Sequence, residues 1–160
     1  IRAEVAEIAN IEQRKTNEIL GIEAGYRYVD SPLVWPAAGK GPDPDAQYYT
    51  PTTWPGFRLP HVWLKDGSAI HDRLGKGYTL LRFDHDRNDF SVLASAFKKT
   101  GAPFEQLSLD DAHAVEIYEG YTLFLLRPDL HIVWRGKEAP GDQQWLVDVA
   151  TGHRLPPVLN

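Results

Sequence analysis

Tyr121-Thr122-Leu123-Phe124-Leu125-Leu126-Arg127-Pro128-Asp129-Leu130-His131-Ile132-Val133-Trp134-Arg135 is the stretch on which the fold turns. Its first six residues are apolar on both faces, as in a strand covered on both sides. Arg127-Pro128-Asp129-Leu130 reads as a tight turn, with proline at the second position fixing φ. The remainder returns as the partner strand of a hairpin. Working backwards, Tyr78-Thr79-Leu80-Leu81-Arg82-Phe83 has the same two-sided apolar character and predicts a second central strand. Between the two, Phe90, Leu93, Ala94 and Phe97 fall at i, i+3, i+4 and i+7 after Asp89. Lys98-Lys99 and then Gly101 supply the dipole and stop signals of a helix. Residues 103–109, with Phe104, Leu107 and Leu109 apolar, read as another strand, whereas 110–118 stay ambiguous. Working forwards, Asp142 is placed to cap a last helix that turns Trp145, Leu146, Val149 and Ala150 inward and ends at Gly152.

Strand–helix–strand, then hairpin, then helix is the order of a thioredoxin-like α/β fold, a central sheet flanked by helices. A right-handed crossover makes its first two strands parallel. That fold usually works through thiols, and this chain has no cysteine. Thiol chemistry is therefore excluded, and the domain reads as a scaffold or an interface.

Upstream, residues 3–20 allow an amphipathic helix with Val5, Ile8, Ile19 and Leu20 apolar, a polar middle from Glu12 to Glu18, and Gly21 as a left-handed cap. Tyr26-Arg27-Tyr28-Val29 alternates like a strand, ended by Asp30-Ser31-Pro32. Residues 32–60 hold seven of the twelve prolines, at 32, 36, 42, 44, 51, 55 and 60, which predicts an extended arm. Leu33, Val34, Trp35, Tyr48, Tyr49, Trp54 and Phe57 lie within it and need cover. His61-Val62-Trp63-Leu64 reads as a short strand ended by Lys65-Asp66-Gly67, with Ser68 capping a brief helical turn through Ile70 and Leu74.

A length of 160 residues fits one domain, expected to bury roughly 70% of its unfolded-chain surface. The net charge of −5, from 22 acidic and 17 basic residues, and the lack of any basic run beyond a pair argue against a nucleic-acid surface. No apolar run approaches the ~20 residues that span a bilayer, so no membrane partner is expected. Zero cysteine fits a reducing, cytoplasmic setting. A chain with no methionine that starts at Ile1 reads as part of a longer polypeptide.

The candidate sites are weak on spacing alone. His61 and His71 with Asp72, and the trio Asp84-His85-Asp86, carry metal-ligand chemistry without the spacing of a metal site. The trio reads as a solvated loop after a strand, and His61 and His131 as strand histidines satisfied by local hydrogen bonds. Ser68, Ser91 and Ser108 lack the flanking glycines of a nucleophile elbow, and Asp110-Asp111 read as a turn. Trp63 and Trp134 are assigned to the core, Trp35 and Trp54 to an interface. No catalytic, cofactor-binding or metal-binding residue is assigned to this chain. No GxGxxG follows a strand, and Gly39-Lys40-Gly41-Pro42 lacks the helix that would hold a pyrophosphate.

Three segments nevertheless share a pattern: Gly25-Tyr26-Arg27-Tyr28 with Ser31-Pro32; Pro55-Gly56-Phe57-Arg58-Leu59-Pro60-His61-Val62-Trp63-Leu64; and Leu126-Arg127-Pro128-Asp129-Leu130-His131-Ile132-Val133-Trp134-Arg135-Gly136. With Asp66-Gly67-Ser68 and Gly75-Lys76-Gly77-Tyr78-Thr79-Leu80-Leu81-Arg82 between them, the chain from about residue 20 to 152 resembles the C-terminal region of FAD-dependent aromatic monooxygenases. These include phenol, chlorophenol and hydroxyphenylpropionate hydroxylases and polyketide relatives. The resemblance implies a parent whose N-terminal domain holds FAD, whose middle domain shapes an aromatic pocket, and which consumes NAD(P)H and O₂. Its cysteine-less thioredoxin-like C-terminal domain would serve structure or subunit contact. Residues 1–35 would then end the flavin/substrate part, 36–60 form the connecting arm, and 61–160 the thioredoxin-like domain. The implied partners are that missing N-terminal part and further copies of the chain. Without that part the chain is expected to expose an apolar patch, with Tyr26, Tyr28, Leu33 and Trp35 as its members, and to self-associate or swap its first ~35 residues between copies. The alternative is a free-standing thioredoxin-like binding or scaffold protein without catalysis.

Overall fold

The computed structural model describes residues 1–17, 19–85 and 87–158. The elements are α1 (Arg2–Asn17), α2 (Leu20–Gly25), α3 (Ile70–Arg73), β1 (Tyr78–Arg82), α4 (Ser91–Thr100), β2 (Phe104–Ser108), α5 (Ala112–Ile117), β3 (Leu123–Leu126), β4 (Ile132–Gly136) and α6 (Gln143–Ala150). The strands form one sheet in the order β2-β1-β3-β4, with β1 and β2 parallel and the other neighbours antiparallel. The parallel unit and the following hairpin are those the hydrophobic pattern predicts.

Alternation along the central strands builds two apolar layers. Leu80, Leu123, Leu125 and Val133 face α4 and α6, where they meet Leu93, Phe97, Leu146 and Val147. Leu81, Phe124, Leu126 and Ile132 face the other way, onto Leu59, Val62, Ile70, Ala114 and Tyr118. Two-sided burial is why these strands read as continuous apolar runs rather than alternating ones. Local signals place the helices. The Asp89 carboxylate accepts the Ser91 N–H at 2.9 Å, Gly101 ends α4 at φ 72°, and Asp142 accepts the Trp145 N–H at 2.8 Å to start α6. Asp111 resolves the ambiguous stretch. Its carboxylate caps α5 through the Ala114 N–H at 2.9 Å and also takes the Lys65 N–H at 2.6 Å.

Several readings need correction upstream of β1. Residues 61–64 form no strand of the sheet; a single bridge joins Trp63 to Ala69, closed by Leu64 N–H to Ser68 and Ile70 N–H to Val62. Val62 and Leu64 point inward, so Trp63 points out and is 65% exposed rather than in the core. Ser68 does not cap α3, because both its N–H and its hydroxyl donate to Asp66 in the preceding turn. Residues 26–29 contribute one bridge, Arg27 to Phe57, instead of a strand. Gly21 is no left-handed stop: α1 ends at Asn17, and Gly21 lies inside α2. The backbone of the arm passes so close there that an added Cβ would sit 2.0 Å from the Asp45 carbonyl oxygen. Glu18, at the end of the predicted polar run, lies outside the described residues.

The proline-rich arm becomes a strap along β4 and its turn. Trp35 N–H donates to Val133, Gly56 N–H to Ile132, Ile132 N–H to Phe57 and Leu59 N–H to Leu130, all at 2.8–2.9 Å. Proline density prevents a regular strand, yet the amides of Trp35, Gly56 and Leu59 find partners on β4 and its turn, as buried backbone groups must. Leu59 is only 1% exposed, so the strap contributes to the core itself.

Candidate interdomain face

The residues nominated for chemistry separate in space. His71 Nε2 donates to the Leu59 carbonyl at 2.9 Å, and burial holds this imidazole below its ordinary value. His61 stands beside it with ring centroids 5.4 Å apart, and Asp72 is exposed. Asp84 is held inside, 4% exposed, by Arg82 Nε at 3.0 Å, Arg82 Nη2 at 3.1 Å and Asn88 Nδ2 at 2.9 Å. Burial works against its charge, but these donors win and keep Asp84 below the usual carboxylate value. His85 turns away, exposed, its Nε2 3.7 Å from Asp110; Asp86 lies outside the described residues. Among the described residues no group of three His, Asp or Glu is arranged to hold a metal ion. The Ser68 and Ser91 hydroxyls donate to Asp66 and Asp89 in local turns, while Ser108 belongs to the outer strand β2. Asp110 pairs with Lys65 at 2.8 Å while Asp111 caps α5, so the two neighbours diverge.

What the fold does bring together are two polar locks between the N-terminal third and the hairpin. In the first, Tyr28 donates its hydroxyl to Asp129 at 3.1 Å, and Arg127 reaches the same carboxylate oxygen at 3.1 Å. The Arg127 guanidinium also lies 4.7 Å from the centre of the Tyr28 ring, within cation–π range. Burial tends to raise Asp129, but the His131 N–H and the Arg127 charge outweigh it and hold the carboxyl low. The hydrogen bond to Asp129 in turn pushes the Tyr28 phenol up. His131 packs its ring on Tyr28 at 4.6 Å with Nδ1 near the Asp129 carbonyl, but its buried Nε2 has no partner among the described residues. The expectation of a locally satisfied histidine therefore holds for one ring nitrogen only. His61, expected to be satisfied likewise, is exposed and makes ring contacts to Trp63 and His71.

In the second lock Arg135, its side chain 8% exposed, is sandwiched between Tyr121 and Trp54 at 4.0 and 5.3 Å. It donates to Glu119 at 2.8 Å and to the Thr53 hydroxyl. Nothing in the sequence pairs these residues. Across the two locks the contacts span up to 101 positions.

Between the strap and residues 155–157 runs an open groove of about 490 Å³, walled by Arg27, Tyr28, Trp35, Trp54 and prolines. Trp35 sits half-buried, edge-on to Trp145 at 5.4 Å and packed on the sheet's α4/α6 layer. Leu33 and Tyr28 are half-buried as well, so of the four expected patch members only Tyr26, 54% exposed, is open. The apolar surface lies further upstream. Val5 and Ile8 of α1 are 60% and 61% exposed, joined by Ile11, Leu20 and Ile22. Among the described residues, helix α1 has no extensive packing against another helix or strand.

The Gly39-Lys40-Gly41-Pro42 segment does not fit the phosphate cradle of a dinucleotide. Gly41 has the Trp54 ring where a Cβ would stand, Lys40 is paired with Asp43 at 2.8 Å, and no helix follows to receive a pyrophosphate.

A family model described as the aromatic-ring hydroxylase C-terminal region matches residues 52–154. The chain belongs to this family. The match begins beside Thr53, where the strap is first fastened to Arg135. As an aromatic-ring hydroxylase C-terminal region, the chain is 39% identical over 127 residues to the FAD-dependent monooxygenase opdD of Penicillium oxalicum. It is 33% identical over 135 residues to the FAD-dependent monooxygenase apdD of Emericella nidulans. These matches cover 76% and 80% of the chain but 24% and 22% of the relatives, so it spans about a quarter of their length. Among solved structures, RebC-10x, described in native and K252c-bound form, superposes with a TM-score of 0.76 at 30% identity, over 96% of this chain and 29% of that one. The flavin-dependent monooxygenase PieE, solved with FAD and substrate, gives 0.67 at 28% identity over 94% and 28%. The mixed four-stranded sheet with flanking helices is thus the fold of flavin-hydroxylase C-terminal regions.

Proposed function

We propose that this chain is the C-terminal part of an FAD-dependent monooxygenase that hydroxylates an aromatic substrate, and that it serves as a thioredoxin-like, redox-silent structural module. The observation that carries the reading is the unpartnered apolar surface of α1 and α2 on a chain that spans a quarter of its relatives' length. Residues 1–35 end the flavin/substrate part, 36–60 cross over, and 61–160 form the thioredoxin-like domain, with the last residues of the crossing woven into its core. FAD, held by the rest of the polypeptide, supplies oxygen activation. One oxygen atom goes to the substrate ring, the other leaves as water, and NAD(P)H supplies the two electrons. The residues of this chain hold the strap and present the face onto which the flavin/substrate part packs. Among the described residues no helix is long and apolar enough to cross a membrane, and a cysteine-free chain suits the cytoplasm. Without its covering, the apolar face of α1 and α2 drives self-association of the chain.

The test compares the full-length polypeptide with this chain. The full-length protein is expected to purify yellow and to oxidise NAD(P)H when given a phenolic substrate. This chain is expected to be colourless, and to stay at background in insulin-reduction and peroxidase assays. A stoichiometric flavin spectrum from this chain alone, or a colourless, inert full-length protein, overturns the reading. The free-standing scaffold, its alternative, predicts the second of those outcomes.

A further inference from the structure

We infer that a band of rings running from Tyr26 to Trp63 is a second docking surface for the flavin/substrate part of the same polypeptide, a proposal that rests on the functional reading above. The band consists of two ring clusters joined through the backbone of the strap. Tyr26 meets Tyr28 at 5.2 Å, and Tyr28 meets His131 at 4.6 Å. His131 is bridged to Arg58, and the carbonyl of the next residue, Leu59, is held by His71. His71 then meets His61 at 5.4 Å and His61 meets Trp63 at 4.9 Å. The centre is already closed, since His131 is buried. The two ends are open, with Tyr26 54% and Trp63 65% exposed.

Three observations choose the occupant. The Tyr26 end continues directly from α2, whose exposed Leu20 and Ile22 belong to the face assigned to the flavin/substrate part. About three quarters of the relatives' length lies outside the region they share with this chain, ample to cover both ends. Trp63 is also held in place before any partner arrives, because Val62 and Leu64 on either side are buried and the bridge to Ala69 fixes its backbone. A large ring on a fixed backbone has only its two side-chain torsions left to order on docking, which suits an interface anchor. The partner surface is accordingly an apolar recess that accepts an indole, flanked by groups able to hydrogen-bond the imidazole of His61.

Hydroxyl-radical footprinting of the full-length polypeptide and of this chain, read by mass spectrometry, tests the band. Oxidation of Trp63 and Tyr26 is expected to fall several-fold in the full-length protein, together with that of Val5 and Ile8. Protection of Val5 and Ile8 with Trp63 as reactive as in the isolated chain would overturn the band while leaving the reading of residues 1–35 intact. Protection of none of them would remove both. Protection of Trp63 that grows with the concentration of the isolated chain would make a second copy the occupant and overturn the proposal. As a second measurement, Trp63→Ser is expected to lower the melting temperature of the full-length protein and leave that of this chain unchanged. An unchanged full-length melting temperature would count against docking at Trp63.

Discussion

Replacing Leu59 by alanine asks whether the strap is part of the domain or merely laid upon it. Leu59 is 1% exposed and packs in the layer of Val62, Ile70, Tyr118, Leu126 and Ile132. Its amide donates to Leu130 and its carbonyl accepts from His71, bonds that an alanine backbone retains. The loss is therefore one of packing. Removing three carbons at about 0.8 kcal/mol each gives roughly 2.4 kcal/mol of transfer free energy. The unfilled cavity carries the total toward the ~5 kcal/mol upper end seen for buried leucines. Urea unfolding followed by tryptophan fluorescence and by circular dichroism measures it, with Leu125→Ala in β3 as the reference. The two substitutions are expected to cost similar amounts with unchanged denaturant slope. A cost below about 1 kcal/mol at Leu59, in the range of surface substitutions, alongside a full cost at Leu125 would refute the argument. It would mean that the strap peels away before the sheet unfolds.

The remaining expectations follow from single sites. Asp84 titrates below its ordinary value when folded, so its contribution is present above the usual carboxylate range and lost as pH falls through the folded value; the urea midpoint is expected to decline below about pH 5. Asp84→Asn should flatten that decline, and an unchanged slope would assign it to other carboxylates. Asp84→Ala removes the buried carboxylate that takes hydrogen bonds from both Arg82 and Asn88 and is expected to cost about 3–5 kcal/mol, read in the same urea assay. Gly21→Ala drives a methyl into the Asp45 carbonyl and is expected to cost about 1–3 kcal/mol, seen as faster amide exchange confined to α2 and residues 42–48. Val5→Asp with Ile8→Asp is expected to shift sedimentation of this chain toward monomer, whereas Trp35→Asp, which strikes a packed ring, is expected to lower stability instead.

The α/β body was legible because its signals are local. Leu80-Leu81 and Leu123-Phe124-Leu125-Leu126 declare two-sided burial, and α4 carries its glycine stop and α6 its aspartate cap within a turn of their ends. The upstream third resisted for the opposite reason. The His61–Leu64 alternation carries no signal for which set faces inward, and only the buried places of Val62 and Leu64 put Trp63 outside. Gly21 looks like a helix stop, yet the constraint on it is the backbone of Asp45, brought close by the strap. Asp111 became recognisable as a cap once Lys65 and Ala114 converged on it. The aromatic excess upstream called for cover, but which rings the chain covers itself depends on pairings such as Tyr28 with Asp129 and Trp35 with Trp145. Periodicity carries no information about contacts of that span.

The strap also decides where the molecule can safely be cut. β2 ends the sheet on one side with Pro103 ahead of it and Glu105 and Gln106 on its exposed surface, features that discourage further pairing. β4 ends it on the other side with Ile132-Val133-Trp134, a run of high β-propensity and no charge, whose outward N–H and C=O groups are taken by Trp35, Gly56 and Phe57. A fragment starting at residue 61 would shed all three and present that row as a template for another chain. Proline here thus acts as a guard against aggregation: it lets the polypeptide cover a sheet edge while leaving too few donors to offer a new one.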